Sequence, residues 1–255
     1  MQNTRNSIIK QNIKVSEERI SVLRDHKLLR TIYKQWYLDI LFNNSSDELK
    51  ENVIIELGSG PSFVKELNHS VYTTDILPII NLDFTSNGMI LPIKTGVVKR
   101  FIMINVFHHI QDSNKFLREL ERCLIIGGEI RMIEPYNTLW GRIVWKYLHH
   151  EEFQPKAVEW KVEGNDPLYS ANGALPWIVF CRDKKSFLKA FPSLSIISIK
   201  KHSFLSYLLS GGFSYSQLIP DFLVKMVTVI DNAISNLVPQ LGIFATIEIK
   251  KNNNL

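Results

Sequence analysis

Between Ser16 and about Phe42, apolar residues recur at helical spacing: Ile20, Leu23, Leu28, Ile32, Trp36 and Ile40. This pattern predicts one amphipathic helix, with Ser16 and its charged neighbours as the start signal. The polar run NNSSDE that follows reads as a loop. From there, short apolar runs alternate with helical segments. NVIIEL predicts a strand, PSFVKELN a helix, SVYTTDI a strand, and IINLDF a short strand or extended piece. RFIMINVF is another strand, and SNKFLRELERCLI a helix with Phe116, Leu117, Leu120 and Leu124 on one side. GGEIRMIEP is a strand opened by two glycines. Repeated strand–helix–strand order specifies the α/β class, a parallel sheet with helices on both faces.

After Pro135 the alternation lapses. Residues 136–180 are rich in Trp, Tyr, His, Pro and Gly, as in WGRIVWKYLHHEEFQP and NDPLYSANGALPWIVF. Such a stretch suits an insertion over the end of the sheet where α/β proteins bind ligands. KSFLKAF resumes as a helix, LSIISIKKH as a strand, and LGIFATIEIKK is the final strand. The expected organisation is an N-terminal helical segment over 1–48 and one α/β domain over 49–255, with insertions at about 136–180 and 203–240. The tail KNNNL is expected to fray.

The 255 residues suffice for one domain with a buried core, and 45% hydrophobic with 22% charged residues is ordinary for a globular protein. The net charge of +5 is mildly basic, but the basic pairs Lys184-Lys185 and Lys200-Lys201 are short and scattered. A nucleic-acid groove needs a denser stripe, so no nucleic-acid partner is expected. Cys123 and Cys181 each stand alone, which suits a reducing compartment. The start, MQNTRNSIIKQNIKVSEERI, has no apolar core of signal-peptide length, and the apolar stretch SQLIPDFLVKMVTVI is broken by Pro220, Asp221 and Lys225. A cytoplasmic protein is expected, with peripheral membrane contact left open.

The stretch VIIELGSGPSF joins a strand to small residues, the form of a nucleotide-binding turn. A dinucleotide fingerprint, G-x-G-x-x-G, would need glycine at position 63, where Phe63 stands. Gly58 and Gly60 let a ligand approach the backbone. Glu56 is an anion where a phosphate loop would avoid one, and it suits a ligand carrying an ammonium group. Glu56, Gly58, Gly60 and Ser62 form E-x-G-x-G-x-(G/S). This resembles motif I of the class I S-adenosylmethionine-dependent methyltransferases, especially the type 11 group of small-molecule enzymes. The alternative is an ordinary strand–helix turn.

Further segments extend the resemblance in order over about residues 50–136. Asp75 ends the next strand, where the family's acid accepts the ribose hydroxyls; a dinucleotide would use the same residue. LDFTSNGMILPI looks like the family's D-A-x-x-L-P-F stretch, with Asn87 where an Asp usually meets the adenine amino group and Asp83 as the alternative. NVFHHIQD matches the family's LHHI-D. LRELERCLIIGGEIRMIEP matches E-x-x-R-V-L-x-P-G-G…E-P, with Ile126 in place of the proline. Lys99-Arg100 stand where the family often has an Asp before the RFIMINVF strand. The resemblance implies a Rossmann-like sandwich with a seven-stranded, mostly parallel sheet and an antiparallel last strand. It implies S-adenosylmethionine as cofactor, held by Glu56, Gly58, Ser59, Gly60, Asp75, Ile76, Asn87, Gly88 and Asn105. Beyond Pro135 the chain looks like a subgroup found with bacterial surface-polysaccharide or lipid-linked glycan synthesis.

Methyl transfer from a sulfonium is an in-line displacement in which the protein positions the nucleophile and takes its proton. Candidate catalytic groups at the ends of the fourth and fifth strands are His108, His109 and Glu134. The alternatives are that the histidines cap the next helix or pack on the cofactor, and that Glu134 only shapes a strand end. Tyr136, His149 and His150 are candidate substrate residues. His149, His150, Glu151 and Glu152 invite a metal, but no third ligand is spaced to converge with them, so no metal is expected. Tyr33, Trp36 and Tyr37 either cover the ligand or form core. The apolar insertion at 203–240 either packs or offers a surface to a lipid-linked substrate, a membrane or a dimer partner. The expected function is methyl transfer to a small-molecule, sugar or lipid-linked glycan acceptor, on oxygen. A non-catalytic binding or scaffold protein of the same fold is the alternative, and a nicotinamide oxidoreductase a distant third.

Overall fold

Ile54–Leu57 (β1) is buried along its whole length, the pattern of a strand inside a parallel sheet. A computed structural model describes residues 2–42, 52–60, 62–164, 166 and 168–253 of the chain. In it β1 pairs in parallel with Tyr72–Asp75 (β2) on one side and Val98–Ile104 (β4) on the other. Phe84–Thr85 (β3) extends the sheet beyond β2, and Leu124–Pro135 (β5) beyond β4, both in parallel. Phe244–Lys251 (β7) runs antiparallel to β5 and to Leu194–His202 (β6) at the edge. The order β3-β2-β1-β4-β5-β7-β6 is a Rossmann-like α/β sandwich, mostly parallel with an antiparallel last strand, as expected. The connections reverse direction between β1 and β4, and the carboxyl ends there open a crevice.

One face of the sheet is covered by two helices rather than one. Gln2–Asp25 (α1) and Lys27–Phe42 (α2) meet at His26. α2 buries Leu28, Leu29, Ile32, Trp36, Ile40 and Leu41. The Trp36 ring lies 4.7 Å from Phe244 and stacks at 6.0 Å on Tyr207, so this part of the N-terminal segment is core. Arg100 ties the end of α2 to the sheet: its guanidinium donates to the Leu41 carbonyl at 2.7 Å and pairs with Glu129 at 3.0 Å. The NNSSDE segment lies outside the described residues, as does the end of the KNNNL tail.

The other face is packed by Ser113–Cys123 (α3), capped by Asp112, whose carboxylate accepts from the Lys115 amide. Past β5 the chain forms Leu139–Tyr147 (α4), an irregular stretch, and Leu175–Trp177 (α5), which runs into a π-turn at Ile178–Arg182. Lys184–Ala190 (α6) leads to β6. Between β6 and β7 lie Ser206–Leu209 (α7) and Val224–Leu237 (α8), joined through buried Asp231, which accepts from the Leu205 and Ser206 amides and the Ser206 hydroxyl. Among the described residues no helix is long and apolar enough to cross a membrane.

Two further elements differ from the sequence reading. The predicted helix after β1 is a single 3-10 turn, Phe63–Glu66, because Asn68 turns the chain out by accepting the Ser70 amide. The glycines expected to open β5 lie inside it: Gly127 sits at φ +76° beside a register shift against β4.

Candidate functional site

The turn after β1 carries three left-handed residues, Gly58 (φ +64°), Gly60 (φ +51°) and Ser62 (φ +60°). The glycines differ in what they face. A Cβ at Gly58 would lie 2.5 Å from Val106 Cγ2, whereas at Gly60 it would meet nothing within 4 Å. Gly58 therefore serves close packing on the end of β4, and Gly60 presents bare backbone to open space. The Ser59 amide donates to the Thr74 carbonyl at 3.0 Å. Asp75, at the end of β2, accepts from the Gly60 and Leu77 amides, each at 3.0 Å, one on each oxygen. Burial pushes the Asp75 carboxyl above its ordinary range, with those amides opposing.

That space is a cavity of about 1160 Å³ at the β1–β4 switch point. It exceeds the roughly 300–1,000 Å³ usual for one drug-sized ligand. Gly58, Ser59, Gly60, Asp75 and Ile76 line one end, and Asn87 and Gly88 lie beside them. Asn87 Oδ1 accepts from the Met89 amide at 2.9 Å, and Gly88 leaves room for the Phe116 ring, 2.6 Å from where a Cβ would stand. Asp83 does not line the cavity; it accepts from the Thr73 amide at 2.7 Å and pairs with Lys65 at 2.8 Å. Arg19 and Leu23 of α1 and Tyr33 and Tyr37 of α2 also face the cavity, while Trp36 is not among its lining residues.

Two buried acceptors here have no protein partner, Asn105 Oδ1 on the cavity wall and Glu56 Oε2. Asn105, at φ +57°, donates from its amide nitrogen to the Tyr33 hydroxyl at 3.1 Å. Glu56 is not on the cavity wall: its other oxygen accepts from the Tyr37 hydroxyl at 2.5 Å, and burial pushes its carboxyl up to about 7. Bare glycine backbone, a carboxylate with remaining lone pairs and an unpartnered amide oxygen fit a hydroxylated nucleoside carrying a cationic tail.

The cavity wall also carries a histidine–carboxylate cluster. After β4 the 3-10 turn Phe107–His109 is held by Glu134 of β5, whose Oε1 accepts from the Val106 and Phe107 amides at 2.9 and 2.7 Å. Glu134 Oε2 lies 2.6 Å from His108 Nδ1. His108 Nε2 lies 3.2 Å from Glu151 Oε2, in the loop after α4. Burial opposes charge on His108, but Glu134 and Glu151 outweigh it and hold the ring up to about 9. Glu151 is pulled below its ordinary value despite burial, mainly by His108. His109 is pushed down to about 3 by burial and the His108 charge, and its Nδ1 lies 3.0 Å from the Ser170 carbonyl.

Of the candidate catalytic and substrate residues, His108, His109, His149 and His150 line the cavity; Glu134 and Tyr136 do not. Glu134 stands behind His108, and Tyr136 is buried with its amide on the Ile243 carbonyl. His149 Nδ1 accepts from the Glu151 amide at 3.2 Å, and burial pushes its ring down to about 4. The sequence reading missed the meeting of Glu151 with His108 and His109. The two parts are separated by the whole of β5 and α4, and the Ser170 carbonyl that turns His109 is backbone, so no sequence signal marks either.

Residues 57–132, from the glycine turn through β5, match the methyltransferase-domain family. Over that segment the chain is similar to the methyltransferase-domain family, and its sheet is a Rossmann-like sandwich. A chain from the complex between the Haloferax volcanii Trm112 methyltransferase activator and a methyltransferase superposes with a TM-score of 0.52 at 11% identity, over 92% of this chain and 94% of that one. Geranyl diphosphate C-methyltransferase from Streptomyces coelicolor A3(2), solved with Mg2+, geranyl diphosphate and S-adenosyl-L-homocysteine, gives 0.50 at 12% identity, over 89% and 82%. At these identities the likeness is one of fold. No curated protein matches the sequence. The glycine turn and the histidine cluster thus line one and the same cavity.

Proposed function

We propose that the chain moves the methyl group of S-adenosylmethionine to a hydroxyl oxygen of a small molecule, sugar or lipid-linked glycan. The observation that carries this is one cavity lined both by the glycine turn with Asp75 and by the histidine cluster, with room for two ligands. The cofactor supplies a methyl group on a positively charged sulfur. Asp75 accepts the ribose hydroxyls with its free lone pairs, Ile76, Asn87 and Gly88 flank the base, and Gly58, Ser59 and Gly60 let the tail lie against backbone. Asn105 Oδ1 accepts from the tail's ammonium group, and Glu56 behind the turn adds negative potential.

The acceptor hydroxyl lies against His108 and His109 beside Glu151, and its proton leaves to water as the new C–O bond forms. Glu134 orients His108, so it is a positioning residue. His149 and His150 flank the acceptor. Exposed Met226, Val229 and Ile230 along α8 support an acceptor with a lipid portion, met at the cytoplasmic face of a membrane.

The test is transfer of a labelled methyl group from S-adenosylmethionine to a panel of nucleotide sugars, lipid-linked saccharides and phenols, with product released as an O-methyl ether. Label appearing only on amines or carbon contradicts the oxygen assignment.

A further inference from the structure

His108 and His109 are adjacent, yet the 3-10 turn brings their rings to 4.2 Å. A ring nitrogen from each and a Glu151 oxygen lie within 4.8 Å of one another. His108 Nε2 is 3.2 Å from Glu151 Oε2, and His109 Nε2 is 3.8 Å from Glu151 Oε1. Donor atoms about 2.1 Å from a common ion sit roughly 3.0–3.4 Å apart, so closing this set needs movements of roughly 1.5 Å or less.

The opposite ring nitrogens are both committed. His109 Nδ1 faces a carbonyl oxygen, that of Ser170 at 3.0 Å, and so donates to it. His108 Nδ1 donates to Glu134 at 2.6 Å, and Glu134 is itself fixed by two backbone amides. Once an ion displaces the Nε2 proton of His108, each ring turns an Nε2 lone pair toward Glu151. Metal-bound histidines are oriented in this way, with the far N–H on a carboxylate or carbonyl. A salt bridge alone would account for His108 with Glu151. It does not account for His109, whose Nε2 turns to the same carboxylate at a distance too long for a hydrogen bond.

We propose that His108 Nε2, His109 Nε2 and the Glu151 carboxylate bind one divalent transition-metal ion, whose open coordination positions face the cavity. Two imidazoles and one carboxylate suit zinc, iron, cobalt or manganese and disfavour the all-oxygen preferences of magnesium and calcium. His149 is not a fourth ligand, because its Nδ1 accepts from the Glu151 amide. All three ligands line the cavity, so an acceptor oxygen can complete the shell. Coordination lowers the pKa of that hydroxyl, and its proton passes to water. This role for the ion rests on the methyl-transfer reading; the ion site itself does not.

The experiment uses the full chain, stripped with a chelator and titrated with Co2+ by visible absorption and with Mn2+ by calorimetry. The expected result is one ion per chain. Glu151→Gln and His109→Ala should each weaken it by about 100-fold or more, and Glu134→Gln by about 10–100-fold, with circular dichroism unchanged. S-adenosylhomocysteine binding, measured on the same samples, should persist in Glu151→Gln. Absence of ion binding, or binding that Glu151→Gln and His109→Ala both leave unaltered, overturns the site. If Co2+ binds as described while S-adenosylhomocysteine does not bind wild type, the methyl-transfer reading falls and the ion site stands.

Discussion

The Gly60 amide donates to Asp75 Oδ2 at 3.0 Å, so the carboxylate at the end of β2 holds the turn that follows β1. Gly58 and Gly60 share a left-handed backbone but not an environment. Alanine at Gly60 brings only the backbone strain, about 1–2 kcal/mol. Alanine at Gly58 adds a clash with Val106 and is expected to cost about 1–3 kcal/mol more. Urea denaturation should therefore rank Gly58→Ala below Gly60→Ala in stability. S-adenosylhomocysteine affinity should fall in Gly60→Ala even where the fold is intact.

The N-terminal helices roof the cavity and are rooted in the core. Trp36 is buried against Phe244 and Tyr207. Trp36→Ala should cost about 3–5 kcal/mol, the range for truncating a buried aromatic. A loss below about 1 kcal/mol in equilibrium unfolding, the level of most surface substitutions, would mean that this helix is an appendage.

Glu56 supplies a pH signature. Burial raises its carboxyl from 4.5 to about 7, so the folded chain holds this proton more tightly than the unfolded chain. The resulting stabilisation is full below pH 4.5 and is lost as pH rises through about 7. Glu56→Gln removes the titration. Wild type should therefore lose stability relative to Glu56→Gln between pH 5 and 8, by up to about 3 kcal/mol. Denaturant midpoints for both proteins across that range provide the check. A difference independent of pH contradicts the assignment.

The sheet was legible because its strands are apolar runs punctuated by glycine and acid, and the order of motifs from Glu56 to Pro135 set its topology. Asp75 and Gly60 were legible for the same reason, since a strand end and a turn announce themselves locally. Glu56 was legible as an acid beside the glycine turn, but not its place behind the cavity wall, because Tyr37 comes from a distant helix. The break at His26 was hidden: the apolar spacing continues across it, and His26 still donates its amide to the Val22 carbonyl. Glu151 was read with its chain neighbours His149 and His150, whereas the fold turns it toward His108 and His109. Long-range pairing of polar groups leaves no periodicity in a sequence, so only the folded chain discloses it.

The central claim is that the turn and Asp75 hold the nucleoside of a sulfonium cofactor. Calorimetric titration of the full chain with S-adenosylhomocysteine tests it most directly. One site per chain is expected, with affinity lost in Asp75→Ala while the protein stays folded. No heat at millimolar ligand, or equal affinity in wild type and Asp75→Ala, would contradict it.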